Sequence, residues 1–317
     1  MRVRFSRKGT DGVSWEIDMK VVVRLATVIC VVAAIVMWTS PSQAGTTVPS
    51  DTGYWLGGAD GGVFSFGSAP FVGSATQRCT SRCTGFGATA DGRGYWIVDT
   101  STAGGFDPEV TNLYGYGSAF DVHIPDAPNP TAVASTPSSK GGWILYGNGG
   151  TVVPFGDARW FGDGSGLGLG GVTWAPFGSN IDYFSGIAST PDGGGYWLVG
   201  IDGGVFAYGD ANYYGSMGGQ ALNAPVAGIA RTSDGHGYWL VSWDGGVFAF
   251  GDAEFSGSMG GKQLNDGMSG IAANRDGPGY WTVAWDGGVF AFGGAPFLGS
   301  MANHPLAGAV FNIAASG

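Results

Sequence analysis

The sequence predicts an all-β fold assembled from six copies of one short unit. Glycine supplies 62 of the 317 residues but follows no Gly-X-Y period, which excludes a collagen-like chain. Aromatic residues make up 14% of the chain, more than a disordered glycine-rich segment would carry. Glycine interleaved with aromatic residues is typical of short strands joined by tight turns. No convincing helical period follows residue 44.

The repeated unit reads Gly-Tyr-Trp-Leu, then Asp-Gly-Gly-Val-Phe, an aromatic residue, Gly and often Asp-Ala. The clear copies are Gly53–Ala69, Gly195–Ala211, Gly237–Ala253 and Gly279–Ala295, and the degenerate copies are Gly94–Ala119 and Gly142–Ala158. One tryptophan anchors each copy: Trp55, Trp96, Trp143, Trp197, Trp239 and Trp281. These tryptophans lie 41, 47, 54, 42 and 42 residues apart. Such a unit has the size of one four-stranded blade of a β-propeller, about 40–50 residues.

Each unit divides into four short strands, here called a to d. In the unit that begins at Gly228 the expected strands are Gly228–Thr232, Tyr238–Ser242, Val247–Phe250 and Glu254–Ser258. Side chains alternate between two faces along strand b, as a half-buried strand requires. Asp234-Gly235 and Asp244-Gly245-Gly246 separate the first three strands, and Asp-Gly is the preferred chemistry of a tight turn.

The two ends of the repeat region predict how the units join. The first unit starts at strand b with Gly53-Tyr54-Trp55 and has no strand a of its own. The last segment, Leu306–Gly317, resembles the strand-a segment that starts at Val226. It can therefore complete the first blade, and closure would remove the exposed sheet edges of an open array. We expect a six-bladed β-propeller, with seven blades as the alternative.

The N-terminal segment predicts export. Lys20 and Arg24 precede or flank the apolar run Leu25–Trp38, and Ser42 and Ala44 are small residues at the positions that signal peptidase reads. The expected organisation is a signal peptide over 1–44, a linker over 45–52 and one propeller domain over 53–317, with translation starting at Met19. The alternative is an uncleaved anchor over 21–38. Once the signal is cleaved, we expect no membrane span and a secreted or envelope-associated protein.

The charge balance excludes nucleic acid as a partner. The whole chain has a formal net charge of −10. Residues 1–44 contain six basic and three acidic residues, so the remaining chain has 8 basic and 21 acidic residues and a net charge of −13. Phosphate backbones require clustered lysine and arginine, which this chain does not have. The sequence leaves the oligomeric state open.

Two cysteines remain after signal cleavage, in the segment Cys79-Thr80-Ser81-Arg82-Cys83. In an exported protein such a pair is expected to form a disulfide that closes a small loop. Zinc is the competing interpretation, but it would need about two further cysteine or histidine ligands. No histidine lies near this segment in the sequence.

The sequence predicts no catalytic residue, no cofactor and no metal site. A nucleophilic enzyme would need a histidine base, and His123, His236 and His304 lie in different units without a Gly-x-Ser-x-Gly elbow. Aspartates recur at two turn positions: Asp60, Asp202, Asp244 and Asp286, and Asp91, Asp192, Asp234 and Asp276. Calcium could use such carboxylates, but the turn itself explains Asp-Gly. The Tyr-Trp pairs are expected to pack between neighbouring sheets.

Insertions break the repeat in two neighbouring units. About nine extra residues fall within Asp99–Asn112 and about eleven within Gly162–Ser185, and long insertions of this kind are usually functional. Connections b–c and d–a emerge on one face of a blade, so both insertions and the Cys79–Cys83 loop are expected on the same face. The candidate ligand-binding residues there are Trp160, Phe161, Trp174, Phe177, Tyr183, Trp243, Trp285, Asp107, Glu109, Asp163 and Asp182. Alternatively, the insertions only cover a junction between blades.

The unit resembles a repeat found in secreted actinobacterial proteins, Gly-Tyr-Trp-Leu-Val-x-x-Asp-Gly-Gly-Val-Phe-x-Phe-Gly-Asp-Ala. Gly237–Ala253 fits this motif at nearly every position, and the match extends from about Gly53 to Gly317. The resemblance implies an exported, propeller-like module. Members of that family often carry a separate enzymatic domain, for which this chain has no room, so no catalytic residue is carried over.

The function that the sequence favours is a non-catalytic binding or scaffold propeller, whose ligand is an envelope glycan or a protein. A glycan hydrolase is the first alternative, because a glycosidase needs two carboxylates across a cleft. Its candidate carboxylates are Asp107, Glu109, Asp121, Asp126, Asp163 and Asp182. A purely structural surface protein is the second alternative.

Overall fold

The computed structural model describes residues 51–79, 83–101, 110–125, 130–169, 172–173, 180–181 and 183–316. The expected signal peptide, the start at Met19 and most of the linker lie outside these residues. In the described part the only helical element is one 3-10 turn, Ser165–Leu167. No helix in that part has the length and apolar character needed to cross a membrane.

The strands form six small antiparallel sheets. Sheet 1 contains β1 (Gly53–Gly58), β2 (Val63–Gly67) and β21 (Val310–Ser316), and sheet 2 contains β3 (Cys83–Ala88), β4 (Tyr95–Ser101), β5 (Val110–Tyr116) and β6 (Val122–Ile124). Sheet 3 contains β7 (Pro130–Ser135), β8 (Gly141–Tyr146) and β9 (Thr151–Gly156), and sheet 4 contains β12 (Phe184–Ser189), β13 (Gly195–Gly200) and β14 (Val205–Gly209). Sheet 5 contains β15 (Val226–Arg231), β16 (Gly237–Ser242) and β17 (Val247–Gly251), and sheet 6 contains β18 (Met268–Ala273), β19 (Tyr280–Ala284) and β20 (Val289–Phe292). The second insertion adds the short hairpin of β10 (Val172–Thr173) and β11 (Asn180–Ile181).

The last strand of the chain pairs with the first. β21 runs antiparallel to β1, with Tyr54 opposite Ala315 and Leu56 opposite Ile313. β21 therefore occupies the strand-a position that the first unit lacks, as the sequence predicted. The strand-a elements of consecutive sheets also contact one another, and β21 contacts both β18 and β3. This arrangement is propeller-like.

The Tyr-Trp pairs lie between neighbouring sheets. The tryptophan of one unit packs against the tyrosine of the next unit, with ring centroids 5.3 to 5.7 Å apart. Trp281 and Tyr54 make this contact between sheets 6 and 1 at 5.3 Å. Gly142 stands where the third unit would have tyrosine, and Phe155 packs against Trp96 instead, at 5.3 Å. The predicted packing role of these pairs is confirmed.

The prediction of four strands in every blade was wrong for most sheets. Within the described residues only sheet 2 has a fourth strand, β6, and the other five sheets have three. Elsewhere the strand-d segment passes through a glycine whose φ lies between +120° and +138°, a conformation that no strand residue adopts. These glycines are Gly73, Gly162, Gly215, Gly257 and Gly299. In the second unit His123 stands at this position, which permits β6.

In the sheets without a fourth strand, side-chain hydrogen bonds hold the strand-d segment in place. The Trp239 indole nitrogen donates to the Glu254 carbonyl oxygen of its own unit at 2.9 Å. The Tyr280 hydroxyl donates to the Gly257 carbonyl oxygen of the preceding unit at 2.6 Å. The same tyrosine bond joins Tyr54 to Gly299, Tyr95 to Gly73, Tyr196 to Gly162 and Tyr238 to Gly215. Each pair therefore anchors two strand-d segments, and burial raises the pKa of these tyrosines, to about 12 for Tyr54.

The repeated aspartates stabilise turns. In the b–c turns, the Oδ1 atom of the aspartate accepts a hydrogen bond from the backbone nitrogen two residues later, at 2.9 to 3.1 Å. The aspartates are Asp60, Asp202, Asp244 and Asp286. The intervening glycines have φ between +76° and +84°, which only glycine adopts easily. The structural interpretation of these aspartates is confirmed.

Candidate functional site

Residues from the a strands of all six sheets line one central cavity of about 840 Å³. Its wall combines apolar side chains, such as Phe86, Val133, Ile187, Ile229 and Ile271, with small and polar ones. Cavities of this size are the usual place for small ligands. No acidic side chain lines this cavity among the described residues.

The b–c turns and the d–a connections lie on the same face, as the sequence predicted. The backbone nitrogen of Trp243 donates to the Pro225 carbonyl oxygen at 2.9 Å, and that of Trp285 donates to Gly267 at 3.0 Å. The backbone nitrogen of Cys83, at the start of strand a in sheet 2, donates to the Ala59 carbonyl oxygen, in the b–c turn of sheet 1, at 3.0 Å. The first two bonds join a b–c turn to the segment that leads into strand a of its own sheet, and the third joins a b–c turn to strand a of the next sheet. We call this side the connection face.

Trp243 and Trp285 come together where the central cavity meets the connection face. Their ring centroids are 5.2 Å apart at an interplanar angle of 62°, and both side chains are half-buried and line the cavity. Ile201, which holds the same repeat position in sheet 4, is buried. The geometry therefore offers two adjacent aromatic rings at one end of the central cavity.

Polar groups lie beside this pair in a smaller pocket. Trp243 also lines that pocket, together with Asn223, Lys262 and Asp266. The Asp266 Oδ1 atom accepts from the Gly267 backbone nitrogen at 2.8 Å, which fixes the carboxylate near the loop that carries Trp285. The amide, ammonium and carboxylate can all hydrogen-bond a hydroxylated ligand that contacts Trp243.

Trp160 is 58% exposed and belongs to a repeat position rather than to the insertion alone. The same position of strand d carries an exposed aromatic residue in four other units, Phe71, Tyr213, Phe255 and Phe297, and Asp121 in the second unit. The structure does not bring Trp160 to the central cavity. Its exposure follows from the unit and not from the extra residues of the third unit.

Two further candidates have packing roles. Phe161 packs against Trp143 and Tyr196, with ring centroids 6.3 and 5.8 Å apart. Tyr183 is 6% exposed, and its hydroxyl donates to the Asp202 Oδ1 atom at 2.8 Å. Burial and the neighbouring Asp202 carboxylate raise the pKa of Tyr183. Neither side chain presents its ring to the central cavity.

Asp163 holds the 3-10 turn in place. Its Oδ1 atom accepts from the Ser165 backbone nitrogen at 3.0 Å and from the Ser165 hydroxyl at 2.5 Å. The remaining candidates lie outside the described residues: Trp174, Phe177, Asp107, Glu109 and Asp182. Asp126 lies outside them as well.

The predicted disulfide between Cys79 and Cys83 is present, with Cα atoms 5.9 Å apart. Next to it, Arg78 pairs with Asp121 at 2.6 Å, and its guanidinium lies 4.0 Å from the Tyr114 ring centroid. The Arg78 guanidinium lowers the pKa of Asp121. Asp121 therefore anchors the connection between sheets 1 and 2.

Sequence reasoning missed two arginines at the other end of the central cavity, Arg231 and Arg275. The sequence does indicate that these two residues are unusual, because the corresponding positions in the other units hold only small or uncharged residues. Only the packing of the sheets shows that both arginines line one cavity.

The comparisons with known proteins concern the fold. No protein-family model and no curated protein matches this chain. The chain is similar to one in the crystal structure of a nidogen/laminin complex, with a TM-score of 0.53 and 9% identity; the match covers 84% of this chain and 98% of that chain. It is also similar to a putative 6-phosphogluconolactonase from Bacteroides uniformis, with a TM-score of 0.47, 13% identity and coverages of 80% and 82%. The first likeness agrees with a propeller-like fold and extends no further.

Proposed function

We propose that this chain is a closed six-bladed β-propeller that is exported and binds an envelope glycan without catalysis. The observation that carries the proposal is the pair of half-buried rings, Trp243 and Trp285, where the central cavity meets the connection face. The glycan would enter the cavity from that face.

Closure is supported by the contacts between sheets 6 and 1. They are the same contacts that join the other neighbouring sheets that have a Tyr-Trp pair. The Trp281–Tyr54 ring contact and the Tyr54–Gly299 hydrogen bond repeat what Trp239 and Tyr280 do between sheets 5 and 6. β21 supplies strand a of sheet 1. A ring leaves no strand-a edge open to pair with another chain.

A glycan suits the tryptophan pair better than a protein partner does. Sugar rings present apolar C–H faces, which aromatic rings cover, and hydroxyl groups, which need hydrogen-bond partners. Trp243 can cover the apolar face of a sugar ring. In the pocket beside it, Asn223, Lys262 and Asp266 can hydrogen-bond the hydroxyl groups. A concave site also favours a small or slender ligand, whereas protein partners use broader surfaces.

Export is supported by the disulfide together with the sequence of residues 1–44. Disulfides such as Cys79–Cys83 persist in oxidising compartments and are rare in the cytosol. The segment 1–44 has the basic, apolar and small-residue regions of a signal peptide.

The test is a glycan array and a cell-wall pull-down with the purified protein and with Trp243→Ala and Trp285→Ala. We expect each variant to bind at least about tenfold more weakly, because an aromatic anchor that the ligand covers typically contributes more than about 1.4 kcal/mol. Trp160→Ala is the matched control, since it removes a tryptophan that lies away from the cavity. That control should keep the wild-type affinity.

Two outcomes would contradict the proposal. An equal loss of glycan affinity in all three variants would show that binding does not depend on whether the tryptophan lines the cavity. Absence of glycan binding by the wild-type protein, with the fold intact by circular dichroism, would discard the glycan ligand.

A further inference from the structure

Three side chains that commonly ligate metal ions meet at the a–b turn of sheet 5. Asp234 and His236 lie in that turn, between β15 and β16, and the pairing of β16 with β17 brings Asp252 beside it. One oxygen of each carboxylate and one ring nitrogen of His236 all lie within 4.8 Å of one another. All three residues are exposed, so dissolved ions can reach them.

The turn itself uses only one oxygen of Asp234. Its Oδ1 atom accepts a hydrogen bond from the Thr232 hydroxyl at 2.8 Å and from the His236 backbone nitrogen at 3.1 Å. Its Oδ2 atom lies 3.1 Å from the Nδ1 atom of His236. Asp234 therefore closes the turn with one oxygen and presents the other to the histidine ring.

The turn does not require a histidine at position 236. The residue there donates its backbone nitrogen to a side-chain oxygen two residues earlier, and Arg93, Lys140 and Gly194 make the same bond in sheets 2, 3 and 4, at 3.0 to 3.1 Å. The imidazole of His236 is therefore additional to what the repeated unit needs. Imidazole nitrogen is the commonest protein ligand of transition metals.

The second carboxylate is additional as well. In sheet 2 the two corresponding positions hold Asp91 and Ser118, whose hydroxyl donates to the carboxylate at 2.8 Å. In sheet 3 the two residue types are exchanged, and Ser138 donates to Asp157 at 2.5 Å. One carboxylate and one hydroxyl therefore satisfy the blade. Sheet 5 has two carboxylates instead, and these repel one another unless a proton or a cation lies between them.

Sheet 4 provides a matched comparison. It has the same two carboxylates, Asp192 and Asp210, but Gly194 where sheet 5 has His236. Partial dehydration and the neighbouring Asp192 carboxylate raise the pKa of Asp210, as expected for two carboxylates that repel. Sheet 4 therefore has the repulsion without the third ligand.

The arginine on the neighbouring strand does not neutralise the two carboxylates of sheet 5 directly. The Nη1 atom of Arg231 donates to the carbonyl oxygens of Thr232 and Ser233, at 2.9 and 3.0 Å. In the described part of the chain no salt bridge joins Arg231 to Asp234 or Asp252, and the Asp234 charge acts on it at longer range.

We propose that Asp234, His236 and Asp252 form a binding site for one divalent transition-metal ion, of which Zn²⁺ is the representative. Zn²⁺ accepts carboxylate oxygen and imidazole nitrogen and takes four ligands, so a water molecule would complete the coordination. Ca²⁺ and Mg²⁺ prefer oxygen ligands, so the histidine selects against them. The site does not depend on glycan binding, because a–b turns lie at the opposite end of strand b from the b–c turns that carry Trp243 and Trp285.

The experiment titrates the purified protein, made without a histidine tag and freed of metal by a chelator, with Zn²⁺ by calorimetry. The test variants are His236→Gly and Asp252→Ser, which install the residues that sheets 4 and 2 have at these positions and should therefore fold. Asp210→Ser is the matched control, since it removes the corresponding carboxylate of sheet 4. His304→Ala is the second control, since it removes an exposed histidine in another unit.

We expect one equivalent of Zn²⁺ to bind the wild-type protein saturably. Each test variant should bind at least about tenfold more weakly, and each control should change the affinity by less than about twofold. Zn²⁺ should also raise the melting temperature of the wild-type protein and of both controls more than that of the test variants. Thermal melts without metal verify that every variant folds.

Equal affinity of the wild-type protein and both test variants for Zn²⁺ would overturn the proposal, because binding would then not depend on these ligands. Absence of stoichiometric Zn²⁺ binding by the wild-type protein would overturn it as well. Ca²⁺ binding as tight as Zn²⁺ binding and unchanged in His236→Gly would refute the transition-metal class. All three results can be told apart from failure of the glycan proposal, which rests on Trp243 and Trp285.

Discussion

At the scale of single residues, the Tyr-Trp pair determines how each unit attaches to its neighbours. Tryptophan bonds the strand-d segment of its own unit, and tyrosine bonds that of the preceding unit. The sequence showed that these residues recur and would pack between sheets. It could not show the two hydrogen bonds, because their acceptors are backbone carbonyls whose position depends on the fold. The one unit without tyrosine, at Gly142, follows the one strand d that lacks glycine, at His123.

Removing a single tyrosine hydroxyl should therefore show how much one such hydrogen bond stabilises the contact between two sheets. Tyr280→Phe removes the bond to the Gly257 carbonyl oxygen and leaves the ring contact with Trp239, so we expect the free energy of unfolding to fall by about 1–2 kcal/mol. Tyr213→Phe is the control, since Tyr213 is 60% exposed and its hydroxyl reaches only Ser216. That variant should change stability by less than about 0.5 kcal/mol. Urea unfolding would decide, and equal effects of the two changes would refute the junction role.

At the scale of elements, the a, b and c strands could be predicted because alternation and Asp-Gly turns define them locally. The d strand could not, because Glu254–Ser258 looks like a strand until the conformation of its glycine is known. Gly257 has φ +123°, and a Cβ atom there would lie 3.0 Å from the Phe292 ring. The sequence did hold an indication of this, because the glycine recurs in strand d of every unit except the second, which has His123.

Gly257→Ala tests this account of strand d. Its backbone conformation is strained for alanine, by about 1–3 kcal/mol, and the added methyl group also meets Phe292. We expect the free energy of unfolding to fall by at least about 1 kcal/mol in a denaturant titration. Gly228→Ala is the control, because nothing lies within 4 Å of its Cβ position and its φ is not positive. If Gly228→Ala lowers the free energy of unfolding as much as Gly257→Ala does, the proposed backbone strain at Gly257 is wrong.

At the scale of the whole molecule, the pairing of β21 with β1 followed from the sequence, because Leu306–Gly317 resembles the missing strand a. The tryptophan pair was predicted on the connection face, since both residues occupy b–c turns. Arg231 and Arg275 were not predicted together, because they lie 44 residues apart and come to one cavity only through the packing of the a strands. Several predicted insertion residues lie outside the described part, so their role stays a prediction.

The central claim is that β21 closes the ring, and native-state hydrogen exchange measures this most directly. If the ring is closed, the amides of Val310–Ser316 should be protected as strongly as those of β15, Val226–Arg231, because both strands pair along their length with strand b. Exchange of the C-terminal peptide within seconds, while β15 stays protected, would contradict closure and leave sheet 1 with an open edge.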